Sequence, residues 1–180
     1  MPEAPLQESG SGLAPTGPGW FVVNVRDAMW LTTEGGEKPR SGSECSFETP
    51  MADFEQVGVR IHVLPPGEPN GCYHAESQQE DFLVLSGECT LLVEGEERPL
   101  AQWDLFHSPP GTEHVLVGTS DEACIVLRVG TRLGYPGLFY PRDEVAVRHG
   151  AATEQECSSG AEAYASRGHW QPGEKPAGVL

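Results

Sequence analysis

The sequence predicts an all-β fold, a sandwich or barrel of short strands. Three observations lead there. Apolar residues alternate with polar ones in runs too short for helices, as at Val57, Val59, Ile61 and Val63. Gly and Pro are frequent, 22 and 16 of 180 residues, which suits tight turns better than a helical bundle. Turn signals recur about every ten residues, the rhythm of a sandwich or barrel.

Along the chain, residues 1–18 are rich in Gly, Pro, Ser and Glu with little to bury, and predict a mobile tail. "GWFVVNVRDAMW" (19–30) reads as a strand entering a turn, and 32–45 as a polar loop. "FEQVGVRIHVLPPGEPNG" predicts a strand closed by a Pro/Gly turn. "DFLVLSGECTLLVEGEERPL" predicts two strands broken at Ser86-Gly87 and a third begun after Glu94-Gly95. "WDLFHSPPG", "EHVLVG" and "EACIVLRVG" continue the series. Beyond Gly130, "YPRDEVAVRHGAA" and "SSGAEAYAS" are short-helix candidates, and 167–180 reads as loop. The expected organisation is therefore a tail over 1–18, one barrel over 19–145 and a short helical or irregular extension over 146–180.

The net charge of −16 opposes phosphate backbones and anionic lipid, so nucleic-acid and membrane-surface binding are not expected. There is no long apolar run and no basic leader. The cysteine count, 5, is odd and contains no C-x-x-C pair, which favours free thiols in a reducing cytoplasm over a disulfide framework.

The chemistry concentrates in "CYHAESQQEDFLVLSG" and "PPGTEH". His74 and Glu76 are two apart and share one face of an extended segment, Glu80 opens the next strand, and a tight turn delivers His114. Carboxylates beside an apolar strand need compensation, and a metal ion is one candidate. Imidazole with carboxylate suits manganese, iron, cobalt, nickel or zinc.

These residues resemble the two motifs of the cupin superfamily, closest to small single-domain bacterial cupins of unassigned function. The first motif appears as His74-x-Glu76-x3-Glu80-x6-Gly87, the second as Trp103-x5-Pro109-x-Gly111-x2-His114. The likeness is strong over about 57–130 and implies a double-stranded β-helix, the cupin or jelly-roll barrel. It also implies a divalent metal held by His74, Glu76, Glu80 and His114. Three departures stand out: Glu76 replaces a usual histidine, Trp103 replaces a usual glycine, and Gly67 is one residue off register. A set of two histidines and two carboxylates favours manganese or iron(II) over copper, with zinc and nickel also compatible.

His62 and His107 read as strand histidines rather than ligands, Cys72 as a buried thiol, Asp81 as an outward residue and Glu113 as a turn residue. Leu83, Leu85, Leu92 and Val126 read as core. Arg60, Arg98 and Arg128 are the nearest cations, too few for a phosphate groove. The expected function is a metal-dependent enzyme acting on a small oxygenated substrate, of oxygenase or isomerase type. The alternative is a non-catalytic module binding a small ligand or metal. Apolar residues of both parities in "WFVVNV" predict a homodimer built around that segment.

Overall fold

The computed structural model describes residues 1–37, 42–134 and 137–177. Its strands are β1 (Leu6–Glu8), β2 (Leu13–Pro15), β3 (Met29–Glu34), β4 (Ser43–Ser46), β5 (Val57–Leu64), β6 (Ala75–Glu76) and β7 (Glu80–Ser86). There follow β8 (Glu88–Val93), β9 (Glu96–Ala101), β10 (Leu105–Ser108), β11 (His114–Gly118), β12 (Cys124–Thr131) and β13 (Leu138–Phe139). The short helices α1 (Glu144–Arg148) and α2 (Gly160–Ala163) precede β14 (His169–Pro172).

The all-β class holds, as an antiparallel barrel of two facing sheets. The large sheet runs β10-β7-β12-β5-β4-β3-β14, and β11-β8-β9 faces it. The pair β13-β6 extends the second sheet, because His74 just before β6 bridges His114 on β11. The turns follow local chemistry. Ser86-Gly87 breaks the chain where predicted, with Gly87 at φ 78, and Glu94-Gly95 turns with φ 50 and 74, the positive pair a tight hairpin needs.

Strand alternation gives each sheet two covered faces. Between the sheets lie Leu64, Phe82, Val84, Cys89, Leu91, Leu116, Cys124 and Val126. On the outer face of the large sheet, Trp30, Cys45, Ile61, Val63 and Ile125 pack with Val23 and Val25 of the segment before β3. On the outer face of the small sheet, Tyr73, Leu92, Val115 and Val117 meet Ala146 of α1. The Val57–Val63 alternation therefore faces outward, and the inward set on β5 is Gly58, Arg60, His62 and Leu64. Likewise Leu92 and Val126 are buried, whereas Leu83 and Leu85 are only half-buried, on the opposite side of β7 from Phe82 and Val84.

Several local expectations are corrected. "WFVVNV" forms no strand: residues 21–26 are irregular, and the strand begins at Met29. Val23 and Val25 serve the core there without ladder pairing, while Val22 is 81% exposed. Residues 1–18, expected as a tail, carry the β1–β2 hairpin, with Ala4 and Ala14 buried. Main-chain bonds join this hairpin to β3 and the chain ahead of it, from Leu13 N to Asp27 O at 2.6 Å and from Trp30 N to Ser11 O at 3.0 Å. The expected 32–45 loop is partly strand, in β3 and β4, and its centre, 38–41, lies outside the described residues. Residues 169–172 form β14 and pair with β3 rather than looping freely.

Both helical candidates materialise. Asp143 caps α1 by accepting from Val145 N and Ala146 N, and Ser159 caps α2 by accepting from Glu162 N. Among the described residues no helix is long and apolar enough to cross a membrane.

Candidate metal centre

Backbone pairing sets the two histidines side by side. His74 N donates to His114 O at 3.1 Å, and His114 N donates to His74 O at 2.8 Å. Residues paired this way direct their side chains to one face, here the barrel interior. Glu80 enters from the opposite sheet as the first residue of β7, in step with Phe82 and Val84.

The donor atoms converge. Glu80 Oε2 lies 3.5 Å from His74 Nε2 and 3.3 Å from His114 Nε2. One ligand atom from each residue falls within 4.8 Å of the others. The far nitrogens are committed: His74 Nδ1 is 2.9 Å from Cys72 O, and His114 Nδ1 is 3.0 Å from Thr112 O. A carbonyl only accepts, so each Nδ1 carries the proton and each Nε2 offers a lone pair inward. The rings are clamped as well. Phe82 and Phe106 meet the His114 ring edge-on at 5.3 and 5.4 Å between centroids, and Tyr140 stacks on His74 at 5.6 Å.

This donor set fits a divalent cation. Three lone-pair atoms facing one another repel unless a cation lies among them. Glu80 Oε2 and His114 Nε2 are buried without a hydrogen-bond partner among the described residues. Their spacing exceeds a charge-assisted hydrogen bond, yet two donors at right angles and about 2.1 Å from one ion lie roughly 3 Å apart. Where a proton rather than an ion lies between Nε2 and Oε2, burial works to raise the Glu80 carboxyl, but hydrogen bonds from His114 and His74 and the charge of Arg128 outweigh it and hold the group far below the usual carboxylate range.

Glu76, the fourth residue anticipated from the sequence, stands outside this converged group. It is half-buried on the wall of the same cavity, and burial, then the charge of Glu80, push its carboxyl up to about 6. Asp81 points away as expected and pairs with His107, Nδ1 to Oδ1 2.6 Å. His62 is buried 3.7 Å from Glu44 and also lies apart from the cluster. Cys72 is fully buried, and Glu113 is half-buried rather than facing water.

The cluster opens onto a cavity of about 500 Å³. Its lining includes Arg60, Arg128 and Arg132 together with Tyr140, Tyr164 and Trp170. Sequence reasoning discounted the arginines and missed the aromatic wall. Parity carried the first signal: Arg128 pairs with Phe82 and with Arg60, so both arginines share the inward face. The aromatic wall comes from the segments after the barrel, and no local pattern announces it. Arg98 lies elsewhere, exposed and paired with Glu96.

A family model described as a cupin domain matches residues 60–130. No curated protein matches the chain. A sugar phosphate isomerase of the cupin superfamily from Silicibacter pomeroyi is similar in structure, with TM-score 0.54 and 21% identity over 66% of this chain and 85% of that one. A protein provisionally named a sugar phosphate isomerase, from Acidithiobacillus ferrooxidans, aligns with TM-score 0.45 and 27% identity over 46% of this chain and 55% of its own. A DMSP lyase from Ruegeria pomeroyi aligns with TM-score 0.41 and 23% identity over 48% and 44%. The chain thus spans about half the length of these last two proteins.

Proposed function

Taking as premise that residues 60–130 are a cupin domain, we propose that the chain is a metal-dependent enzyme acting on a small oxygenated substrate, of oxygenase or isomerase type. His74, Glu80 and His114 hold the divalent ion, manganese or iron(II) by preference. Glu76 is the proposed fourth donor, since it shares the face of His74 and feels the charge of Glu80. The observation that carries the reading is the pair of buried, unpartnered atoms, Glu80 Oε2 and His114 Nε2, aimed at one point beside an open cavity.

When bound, the ion supplies Lewis acidity, or oxygen activation if it is iron. The chain's own residues do the rest. Cys72 O and Thr112 O hold the imidazoles in one tautomer. Phe82, Phe106 and Leu116 shield the inner side from water. Tyr140, Tyr164 and Trp170 wall the cavity that would take the substrate. We further place the protein in the cytoplasm as a homodimer.

Elemental analysis tests the centre. Wild type and His107→Ala should carry stoichiometric metal after loading with manganese or iron(II). His114→Ala and Glu80→Gln should lose most of it, and Glu76→Gln should retain a reduced amount. Chelation should lower the melting temperature of wild type, since metal at a hundred times Kd adds about 2.7 kcal/mol to the native state. Stoichiometric metal in His114→Ala would defeat the assignment. Turnover of a panel of small hydroxy-carbonyl compounds by loaded but not chelated protein tests the enzymatic half.

A further inference from the structure

The arginines of the cavity are not equivalent. Arg60 is neutralised by Glu44, Nε to Oε1 2.8 Å, and by Glu48, Nη1 to Oε1 2.9 Å. Arg132 is held by both oxygens of Glu48 at 2.6 and 3.0 Å and by Phe54 O at 2.8 Å. Arg128 meets a single carboxylate among the described residues: its Nε is 3.4 Å from Glu80 Oε1, longer than a charge-assisted hydrogen bond. Its side chain is 41% exposed although it sits inside a seven-stranded sheet, so the exposure is to the cavity.

The ladder around Arg128 deepens the anomaly. It lies directly opposite Arg60, and like charges across a strand pair are unfavourable. The next inward step of the sheet is Glu80–Gly130–Gly58: the Glu80 side chain lies over Gly130 and the Arg132 guanidinium over Gly58, and with two glycines in the row Arg128 still borders the open cavity. A forked cation held by one long carboxylate contact and facing the cavity next to a converged donor cluster is arranged to receive an oxyanion. The geometry points to an oxyanion subsite at Arg128, which makes the ligand class of this cavity a small molecule bearing a carboxylate or phosphate group.

This inference rests on the proposed metal centre, because Glu80 engaged by a divalent ion no longer offsets Arg128. The ligand's anionic group would take the guanidinium fork, and its remaining oxygens would face the His74–Glu80–His114 side. The aromatic wall of Tyr140, Tyr164 and Trp170 would cover its carbon skeleton.

The test is calorimetric titration of metal-loaded protein with inorganic phosphate, malonate and the neutral triol glycerol, with metal content measured on the same samples. At least one anion should bind wild type more tightly than glycerol does. Arg128→Gln should weaken that anion about tenfold or more with metal content unchanged, as expected for a lost hydrogen-bonded charge contact. Arg128→Lys should be intermediate, keeping charge and losing the fork. The tighter of phosphate and malonate identifies the oxyanion. Equal affinity of the tighter anion in wild type and Arg128→Gln, or glycerol binding as tightly as both anions, overturns the subsite. Should Arg128→Gln fail to fold, wild-type affinity in Arg128→Lys overturns it equally. If no sample holds metal, the centre fails on its own, and the Arg128 comparison on metal-free protein still decides the subsite.

Discussion

Glu44 is buried on the inward face of β4. Burial alone would raise its carboxyl, but His62, Arg128 and Arg60 outweigh that and bring it from 4.5 down to about 2. A depressed folded value means stability that is complete above the ordinary carboxylate range and lost as pH falls towards about 2. The shift corresponds to about 3 kcal/mol. Glu44→Gln should therefore unfold more easily than wild type at pH 7, and the gap should narrow steadily below about pH 4.5. Denaturant titrations across pH check this, and a gap independent of pH would assign the loss to packing instead. Glu44 was invisible as a functional neighbour in the sequence because it lies in a stretch that read as polar loop. Only its pairing with His62 in the β4–β5 ladder brings it to the cavity. His74, Glu80 and His114 were readable because one hairpin and one tight turn fix them locally. Glu76 joins the expected ligand set on parity and on its place in the motif, and neither fixes the reach of a side chain.

The turn between β9 and β10 carries Trp103 at φ 77, a left-handed backbone that favours glycine. This is the position where the second motif ordinarily has glycine, so the sequence departure and the strained backbone are one observation. Trp103 N still donates to Val84 O at 2.8 Å, and the indole is 68% exposed, so the side chain contributes little that glycine would lose. Trp103→Gly should raise the unfolding free energy by about 1 kcal/mol, read as a higher melting temperature. A lower one would mean the indole is held by a contact the isolated chain lacks. Elements with local turn chemistry, β5 and β7 to β12, were legible for this reason. The failures came where tertiary pairing overrides local pattern. "WFVVNV" is apolar enough for a strand but packs as irregular chain against Trp30 and Ile61. β14 has no strand pattern of its own and exists because β3 offers it an open edge.

For the whole molecule, the outstanding expectation is association. Trp20 and Val22 are 54% and 81% exposed, on the same segment whose Val23 and Val25 cover the barrel. Strand exchange through this segment loses its basis, since it is not a strand, but an apolar surface remains. Sedimentation at tens of micromolar should give a dimer, and Trp20→Ser with Val22→Ser should shift it to monomer. A monomeric wild type would remove the claim. The net charge of −16 sets a further condition on any such contact, which must form against mutual repulsion and should tighten with salt.

The order of the chain gives the cavity a history during synthesis. His74, Glu80 and His114 all precede Thr131, the last residue of β12, whereas Tyr164 and Trp170 belong to segments that leave the ribosome later. A nascent chain can therefore assemble the donor cluster before the pocket beside it has its wall. Until β14 zips onto β3, that cluster stands open to solvent, and only afterwards is access filtered by shape. Closure of β14 onto β3, more than folding of the strands before it, marks the step at which the pocket beside this cluster is walled.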